Sequence, residues 1–210
     1  MRDRRLVIAV VAVLISAQAA TAQKWRRNEG IPLRWLPTTE LGDLDPIELT
    51  GITAVPIAVA PFEDERSGDP GAIGVNEEDA RRKHVTTPDD VPEHVRRHVA
   101  RLLGELGFTV VESQDRAALT LGGSLRRFFV VERNIYEGEA VFLAQLRDAA
   151  EEVVFEALVT GSSTRFGRSY KDENYYETLS DALVEAVHGL ASMSGFREAL
   201  RAAAADGVTD

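Results

Sequence analysis

Apolar and polar residues alternate with a period of two over three stretches in the middle of the chain, residues 119–132, 139–147 and 153–165. Successive side chains of a β-strand point to opposite faces, so this alternation predicts three strands that each bury one face. In the first of them the predicted buried face consists of Leu119, Leu121, Leu125, Phe129 and Val131. Links of hairpin length join the three strands, which predicts an antiparallel meander.

Other stretches repeat their apolar residues at the three-and-four spacing of a helix. Residues 88–106 predict a first helix, with Thr87 as its N-cap. Residues 173–192 predict a second helix, and residues 196–205 predict a short terminal helix after a break at Gly195.

A run rich in β-branched residues over 52–61 predicts one strand before the first helix, and residues 108–112 predict another after it. Because strand–helix–strand crossovers are right-handed, these two strands are expected to be parallel or nearly so. The resulting order is β-α-β-β-β-β-α. It predicts an α+β fold, a two-layer sandwich in which two helices cover one face of a mixed, mostly antiparallel sheet.

The first 22 residues combine a cationic head, an unbroken apolar run over residues 6–15 and a small-x-small ending at Ala22. This order is typical of a secretory signal peptide cleaved after Ala22. The apolar run is shorter than the about 20 residues that a membrane-spanning helix needs. We therefore expect an exported, periplasmic protein whose mature chain begins at Gln23.

The remaining chain is expected to comprise an extended leader (23–51), a single α+β domain (52–205) and a disordered tail (206–210). Prolines bracket the apolar part of the leader, which favours an edge strand or an extended segment lying against the domain. Residues 62–83 are interpreted as one long polar loop, and loops longer than about 12–15 residues are usually functional or disordered.

The chain has 210 residues, no cysteine and a formal net charge of −10. This acidic balance argues against binding to nucleic acid, whose phosphates require clustered Lys and Arg, and against a polybasic attachment to anionic lipid. Without cysteine we expect neither a disulfide nor a lipid anchor. An exported protein of this kind would be held at the outer membrane through an envelope protein partner.

Two groups of residues invite a metal site. His94 and His98 lie four residues apart on the first helix, but the glutamate of helical zinc proteases is missing and arginines surround the pair, so we interpret them as surface histidines. Glu63, Asp64, Glu65 and Asp69 of the long loop could hold Ca²⁺, yet their spacing matches no EF-hand. We predict no metal and no cofactor.

No catalytic residue is predicted either. Ser162 and Ser163 lack the glycines of a nucleophile elbow, and nothing pairs them with His188. Gly122 and Gly123 lack the lysine of a phosphate-binding loop and are interpreted as marking a bulge or a close packing contact. We therefore expect that the protein is not an enzyme.

The second helix begins among aromatic residues, namely Phe166, Tyr170, Tyr175 and Tyr176. Exposed tyrosines form interaction patches, but aromatic residues are more often buried, so we favour a role in closing the end of the core. The acidic residues of this helix, Glu173, Glu177, Asp181 and Glu185, are interpreted as a solvated face.

Scattered matches over residues 31–200 resemble the YajG family of proteobacterial outer-membrane lipoproteins. They comprise Leu33 to Pro37 with Asp45-Pro46, Asp64 and Arg66 with Ile73-Gly74, Leu106 to Val110, Gly138, and Gly161 to Tyr170. The resemblance implies an uncharacterised envelope protein and carries over no catalytic residue. It also implies a lipidated cysteine, which this chain lacks.

Two functions remain open at this point. The first is an exported cell-envelope protein without catalytic activity, which binds another protein or supports the outer membrane. The alternative is a small-ligand or metal-binding periplasmic module that uses the loop 62–83.

Overall fold

The computed structural model describes residues 30–78, 82–167 and 171–206. Within them lie seven strands and three α-helices: β1 (Ile57–Asp64), β2 (Ala72–Asn76), β3 (Lys83–Thr86), α1 (Val91–Glu105), β4 (Val110–Val111), β5 (Leu119–Glu132), β6 (Tyr136–Arg147), β7 (Val153–Arg165), α2 (Asp172–Ser192) and α3 (Ser194–Asp206). The predicted signal peptide with its cleavage after Ala22 lies outside the described residues, as do residues 23–29 and 207–210.

The long strand β5 organises a single mixed sheet. On one side it pairs antiparallel with β6, which pairs antiparallel with β7. On the other side the first part of β5 pairs parallel with β1, and its last three residues pair parallel with β2. Strand β4 lies parallel to β1, as the crossover rule predicts, and β3 lies antiparallel to β2. The predicted α+β class is confirmed.

The interpretation of residues 62–83 as one loop is wrong. Strand β1 continues to Asp64, and the segment contains all of β2 and the first residue of β3. Strand β2 shows no alternation because it is short and contains Gly74, where a Cβ atom would lie 2.6 Å from Cε1 of Tyr175 and 2.8 Å from the carbonyl oxygen of Val130. The glycine allows close approach here and hides the strand in the sequence.

Several predicted boundaries shift for local reasons. Residues 52–56 form a turn that buries Ile52 and Val55, so β1 begins only after Pro56. The N-cap of α1 is Asp90 instead of Thr87, because the Asp90 side chain accepts a hydrogen bond from the Glu93 backbone nitrogen at 3.0 Å. The break between the last two helices falls at Met193, so Gly195 lies inside α3.

A bulge in β5 reverses which side chains are buried in its second half. The pairing of β5 with β6 shifts between Leu125 and Arg127. Beyond the shift the buried residues are Phe128, Val130 and Glu132, whereas Phe129 and Val131 were predicted. An extra residue at a bulge changes the phase of the alternation.

All three helices lie on the same face of the sheet. Helix α1 packs on β1, and α2 packs on β6 and β7. At Gly161 the backbone of β7 comes so close to α2 that a Cβ atom would overlap the carbonyl oxygen of Ala182 and the nitrogen of Ala186. Phe196 of α3 makes edge-to-face contacts with Phe108 and Phe155. The hydrophobic core therefore lies between this face and the helices.

Residues 30–51, called the N-terminal strap below, run in an irregular conformation along the outer side of the helices. The strap is held by polar contacts to α2: the backbone nitrogen of Leu36 donates to Ser180 Oγ at 3.0 Å, and Asp181 accepts three hydrogen bonds from Thr38 and Thr39. Nε2 of His188 lies 2.8 Å from the carbonyl oxygen of Asp45. The strap adds a third layer to the predicted two.

Candidate functional site

The face of the sheet opposite the helices, called the open face below, is not covered by any other described element. On it lies a pocket of about 420 Å³, called the polar pocket below. Its floor is formed by β5, one wall by the end of β1 and the other wall by β6. We take it as the candidate site because charged and polar side chains from three strands line it.

Irregular pairing creates the polar pocket. The register of β1 on β5 shifts between Val59 and Phe62, close to the shift on the other side of β5. Between the two shifts Gly123 has φ +126°, and a Cβ atom there would overlap the carbonyl oxygen of Leu143. A side chain is therefore excluded at Gly123, and the sequence prediction of a bulge near these glycines agrees with the structure.

Charged residues lie on both walls of the polar pocket. In the first wall Glu65 forms an ion pair with Arg126, while Glu63 has no partner among the described residues. In the second wall the Arg147 guanidinium donates to Gln145 Oε1 at 2.8 Å and to the carbonyl oxygen of Glu151 at 3.1 Å. Both acceptors of Arg147 are neutral oxygens, and Glu151 lines the same side of the pocket.

The floor of the polar pocket contains an unsatisfied hydroxyl group. Ser124 is 5% exposed, and its Oγ atom has no hydrogen-bond partner among the described residues. Buried hydroxyls without a partner are uncommon, and each one calls for an explanation such as a bound molecule. Beside it Gly122 leaves free space, since a Cβ atom there would meet only the Ala60 Cβ atom, at 3.4 Å.

The acidic residues of the predicted loop do not converge on one point. Glu63 and Glu65 line the polar pocket, but Asp64 pairs with Arg66 at 2.8 Å, and this hydrogen bond lowers the pKa of Asp64. Asp69 accepts a hydrogen bond from the nitrogen of Gly71 at 2.8 Å. No group of three or more His, Cys, Asp or Glu in the described parts of the chain could hold a metal ion.

The prediction that His94 and His98 are surface residues is wrong. They are 5% and 8% exposed, and Trp35 of the strap stacks on His98 with ring centroids 4.2 Å apart. Burial is the main cause that lowers the pKa of His94 to about 4 and that of His98 to about 3. Both histidines border the buried apolar stripe of α1: His94 lies near Phe128, with ring centroids 6.1 Å apart, and the strap covers His98.

Ser162, Ser163 and His188 do not form a catalytic group, because each of them makes a separate structural contact. Ser162 donates its backbone N–H to Glu185 at 2.7 Å, Ser163 Oγ donates to the carbonyl oxygen of Thr178 at 2.6 Å, and His188 contacts the strap. These contacts join β7 and the strap to α2. The serines therefore have structural partners in place of a catalytic base.

The interpretation of the acidic residues of α2 as a solvated face is wrong for Asp181, which is 9% exposed, and for the half-buried Glu177, whereas Glu173 and Glu185 are exposed as predicted. Glu177 forms an ion pair with Arg165 at 2.6 Å, Asp181 holds the strap, and Glu185 binds the backbone of β7. Only Glu173 is exposed without such a contact within the described structure. Helix α2 lies between the sheet and the strap, so its polar residues serve as attachment points.

Of the aromatic residues, Tyr175 and Tyr176 are buried, which confirms the core interpretation for them. Phe166 is 85% exposed, and Tyr170 lies outside the described residues. Burial raises the pKa of Tyr176 to about 12.

Sequence reasoning missed a buried polar cluster at this end of the core. The hydroxyls of Tyr136 and Tyr175 each donate to the fully buried Glu132 carboxylate at 2.7 Å. Burial also raises the pKa of both tyrosines. The signal that was missed is the bulge in β5. The bulge shifts the alternation by one residue, and this shift places Glu132 on the buried face.

None of the helices that the structure describes has the length and hydropathy of a membrane span. No family model and no curated protein matches the chain. Among solved structures, the chain is similar to a DUF330 protein of Xanthomonas campestris, with TM-score 0.53 and 15% identity over 81% of this chain and 94% of that one.

Two further solved structures are less similar. They are the PelC dodecamer of Paraburkholderia phytofirmans, with TM-score 0.43 and 14% identity over 67% and 89% of the two chains, and a protein described as a lipoprotein of Caulobacter crescentus, with TM-score 0.35 and 17% identity over 57% and 84%. Of these three structures, the DUF330 protein alone exceeds a TM-score of 0.5. At this identity it shows a shared fold alone, and the resemblance to the YajG family stays a prediction.

Proposed function

We propose that this chain is an exported, non-catalytic protein of the cell envelope that binds an extended segment of a partner protein along strand β7. The signal pattern of the first 22 residues supports export. The observation that carries the binding role is the free edge of β7, a strand of 13 residues that pairs with β6 alone among the described strands.

The backbone of β7 offers hydrogen-bonding groups at this edge. The N–H of Ser162 is bound by the Glu185 side chain and faces away from β6. Because backbone groups alternate along a strand, those of Thr160, Leu158 and Glu156 face the same way. A row of outward N–H and C=O groups is a template for one more strand, which is how many domains bind extended peptides.

The side chains beside this edge add an apolar contact. Leu158 is 58% exposed and lies opposite Leu143 of β6, and Val153 and Val154 are each 44% exposed. Edge strands are commonly protected from further pairing by charged residues. Residues 153–162 of β7 contain a single charged residue, Glu156. A partner strand with alternating apolar residues would therefore bury Leu158 while its backbone pairs with β7.

Site-specific photocrosslinking in the native host tests this proposal. A photoreactive residue at Leu158 is expected to give a discrete adduct with one envelope protein, whereas the same residue at the exposed Glu198 of α3 gives none. Thr160→Pro removes an outward N–H without removing a bond to β6, so it is expected to abolish the adduct. The same adducts at both positions, or an adduct that survives Thr160→Pro, would contradict binding along β7.

Export is tested separately by cell fractionation and N-terminal sequencing. We expect the protein in the envelope fraction, with Gln23 as its first residue. Recovery of the uncleaved chain in the cytoplasm would contradict an envelope role, whatever the crosslinks show.

The second candidate function, a small-ligand-binding module, is favoured by one specific observation. The polar pocket of about 420 Å³ takes part of its wall from Glu63 and Glu65, which belong to the segment singled out in the sequence. A ligand that binds only the folded state raises the melting midpoint by mass action. A screen of polar small molecules tests this candidate, and Gly122→Val, which fills the floor, is expected to abolish any such shift.

A further inference from the structure

We propose that the polar pocket binds a zwitterionic ligand of the amino-acid class, a short peptide with a free amino group and a free carboxylate. This inference rests on the second candidate function and names its ligand. The volume of about 420 Å³ lies within the range of about 300–1,000 Å³ that small-molecule sites occupy.

The charges on the walls carry the proposal. Glu63 on the β1 wall has no counter-charge among the described residues, and Arg147 on the β6 wall touches only neutral oxygens. An ammonium group beside Glu63 and a carboxylate beside Arg147 would compensate both. A bidentate guanidinium–carboxylate contact is among the stronger charged hydrogen bonds in proteins.

The spacing of the two charges prevents their direct pairing and suits a short peptide. In the ladders Glu63 is aligned with Ser124, and Arg147 with Thr120, so β5 lies between them. Ser124 and Thr120 are four residues apart along β5, so Glu63 and Arg147 are offset by about 13 Å along the strands as well as by two strand spacings, about 10 Å, across them. Their Cα atoms therefore lie about 16 Å apart, and both side chains together with an extended peptide of two or three residues, about 7–10 Å long, are needed to bridge this distance.

The floor offers both space and an unused hydrogen bond. Gly122 lets a ligand approach the backbone of β5, because only the Ala60 Cβ atom borders the position of its missing side chain. Next to it the hydroxyl of Ser124 has no partner within the described structure, although the residue is 5% exposed. A rotation of this side chain toward the pocket would let it bond to the peptide group of the ligand.

The lining argues against other classes of ligand. No aromatic ring is among the described lining residues, so a sugar would find no stacking surface. Three glutamates against two arginines disfavour a dianion such as a phosphate ester. A lipid chain would meet few apolar side chains, chiefly Ala60, Pro61 and Leu143.

Isothermal titration of the full-length chain with alanyl-alanine tests the proposal. Saturable binding is expected, and each of two blocked forms, N-acetyl-alanyl-alanine and alanyl-alanine amide, is expected to bind at least about tenfold more weakly. Glu63→Gln should weaken binding of the free dipeptide but not further weaken the acetylated form. Arg147→Gln should do the same for the amide. Equal affinity for free and blocked forms would overturn charge recognition.

A space-filling variant ties the binding to this pocket. Gly122→Val should abolish the titration signal, whereas Gly42→Val, at a position in the strap with nothing within 4 Å of its Cβ, should leave it unchanged. Both variants are expected to keep the melting midpoint of the parent chain. If alanyl-alanine does not bind but another compound from the screen shifts the midpoint in a Gly122-dependent way, the zwitterion is wrong while the second candidate function stands. The photocrosslink at Leu158 is independent of either outcome.

Discussion

The two faces of the sheet differ in how much room they leave. On the helix-covered face the backbones of β7 and α2 touch at Gly161, and neighbouring side chains such as Val159 are fully buried. On the open face Gly122 has free space and Leu158 is 58% exposed. The same strands thus present alternate residues to two environments: one set packs against the helices, and the other set faces the open side.

The strongest test of this comparison places the same side chain on each face. Gly161→Val would drive its Cβ to 2.8 Å from the Cα of Ala186 and into the backbone of α2, so we expect a loss of about 3 kcal/mol of unfolding free energy, or failure to fold. Gly122→Val is the matched control and should change the stability by less than about 0.5 kcal/mol. Urea unfolding of both variants measures the difference, and equal losses would contradict the contrast between the faces.

The next prediction concerns the contact between helix α2 and the strap. Asp181 is 9% exposed and accepts three hydrogen bonds from Thr38 and Thr39, at 2.6–2.8 Å. Asp181→Ala leaves those donors unpaired, so we expect a loss of about 2 kcal/mol. Hydrogen exchange should also become faster throughout residues 31–49.

Glu173→Gln on the same helix serves as the control for Asp181→Ala, because Glu173 is exposed and does not touch the strap in the described structure. It should alter neither the stability nor the exchange rates. If exchange in the strap stays slow in Asp181→Ala, the apolar contacts of the strap hold it without the carboxylate.

Two adjacent residues of β7 provide a comparison within one strand. Val159 is fully buried against the helices, so Val159→Ala should cost about 1–2 kcal/mol through lost burial and a cavity. Leu158→Ala removes more atoms but from the open face, and it should cost less than about 0.5 kcal/mol. Thermal and urea unfolding measure both. The reverse ranking would mean that the open face is covered in the folded protein.

Much of this contrast could be predicted from the sequence because alternation with a period of two survives in β6 and β7. The predicted bounds of β5 and β7 agree with those of the structure. The buried face of β5 was predicted only up to its bulge, since one extra residue after Leu125 reverses the phase. Strand β2 was not predicted, because Gly74 stands where an apolar side chain would have indicated a strand.

The polar pocket and the buried histidines could not be predicted for a different reason. The pocket arises where two register shifts meet on either side of β5, and such shifts depend on partners far away in the chain. His94 and His98 border the apolar stripe of α1, where His94 lies near Phe128 of β5 and Trp35 of the strap stacks on His98. Local patterns predict which residues of an element could be buried, but not what covers the other side.

The smallest expected effect comes from the buried histidines of the helix-covered face. They should make the unfolding free energy depend on pH. Their pKa values in the folded protein, about 4 for His94 and about 3 for His98, lie below the value of about 6.5 expected in the unfolded chain. Between these limits the unfolded state binds protons that the folded state does not. The unfolding free energy should therefore fall as the pH is lowered from about 6.5.

His98→Phe tests this origin, since a phenyl ring can keep the stacking on Trp35 but cannot bind a proton. The carboxylates with shifted pKa values, lowered for Glu48, Asp64 and Glu93 and raised for Asp172, are present in both chains. The difference between the two urea-unfolding profiles between about pH 4.5 and 6.5 therefore reports the titration of His98. We expect a shallower decline for His98→Phe than for the parent chain. Parallel curves would show that His98 already takes up its proton in the folded state, and that the strap does not seal this side of the molecule against water.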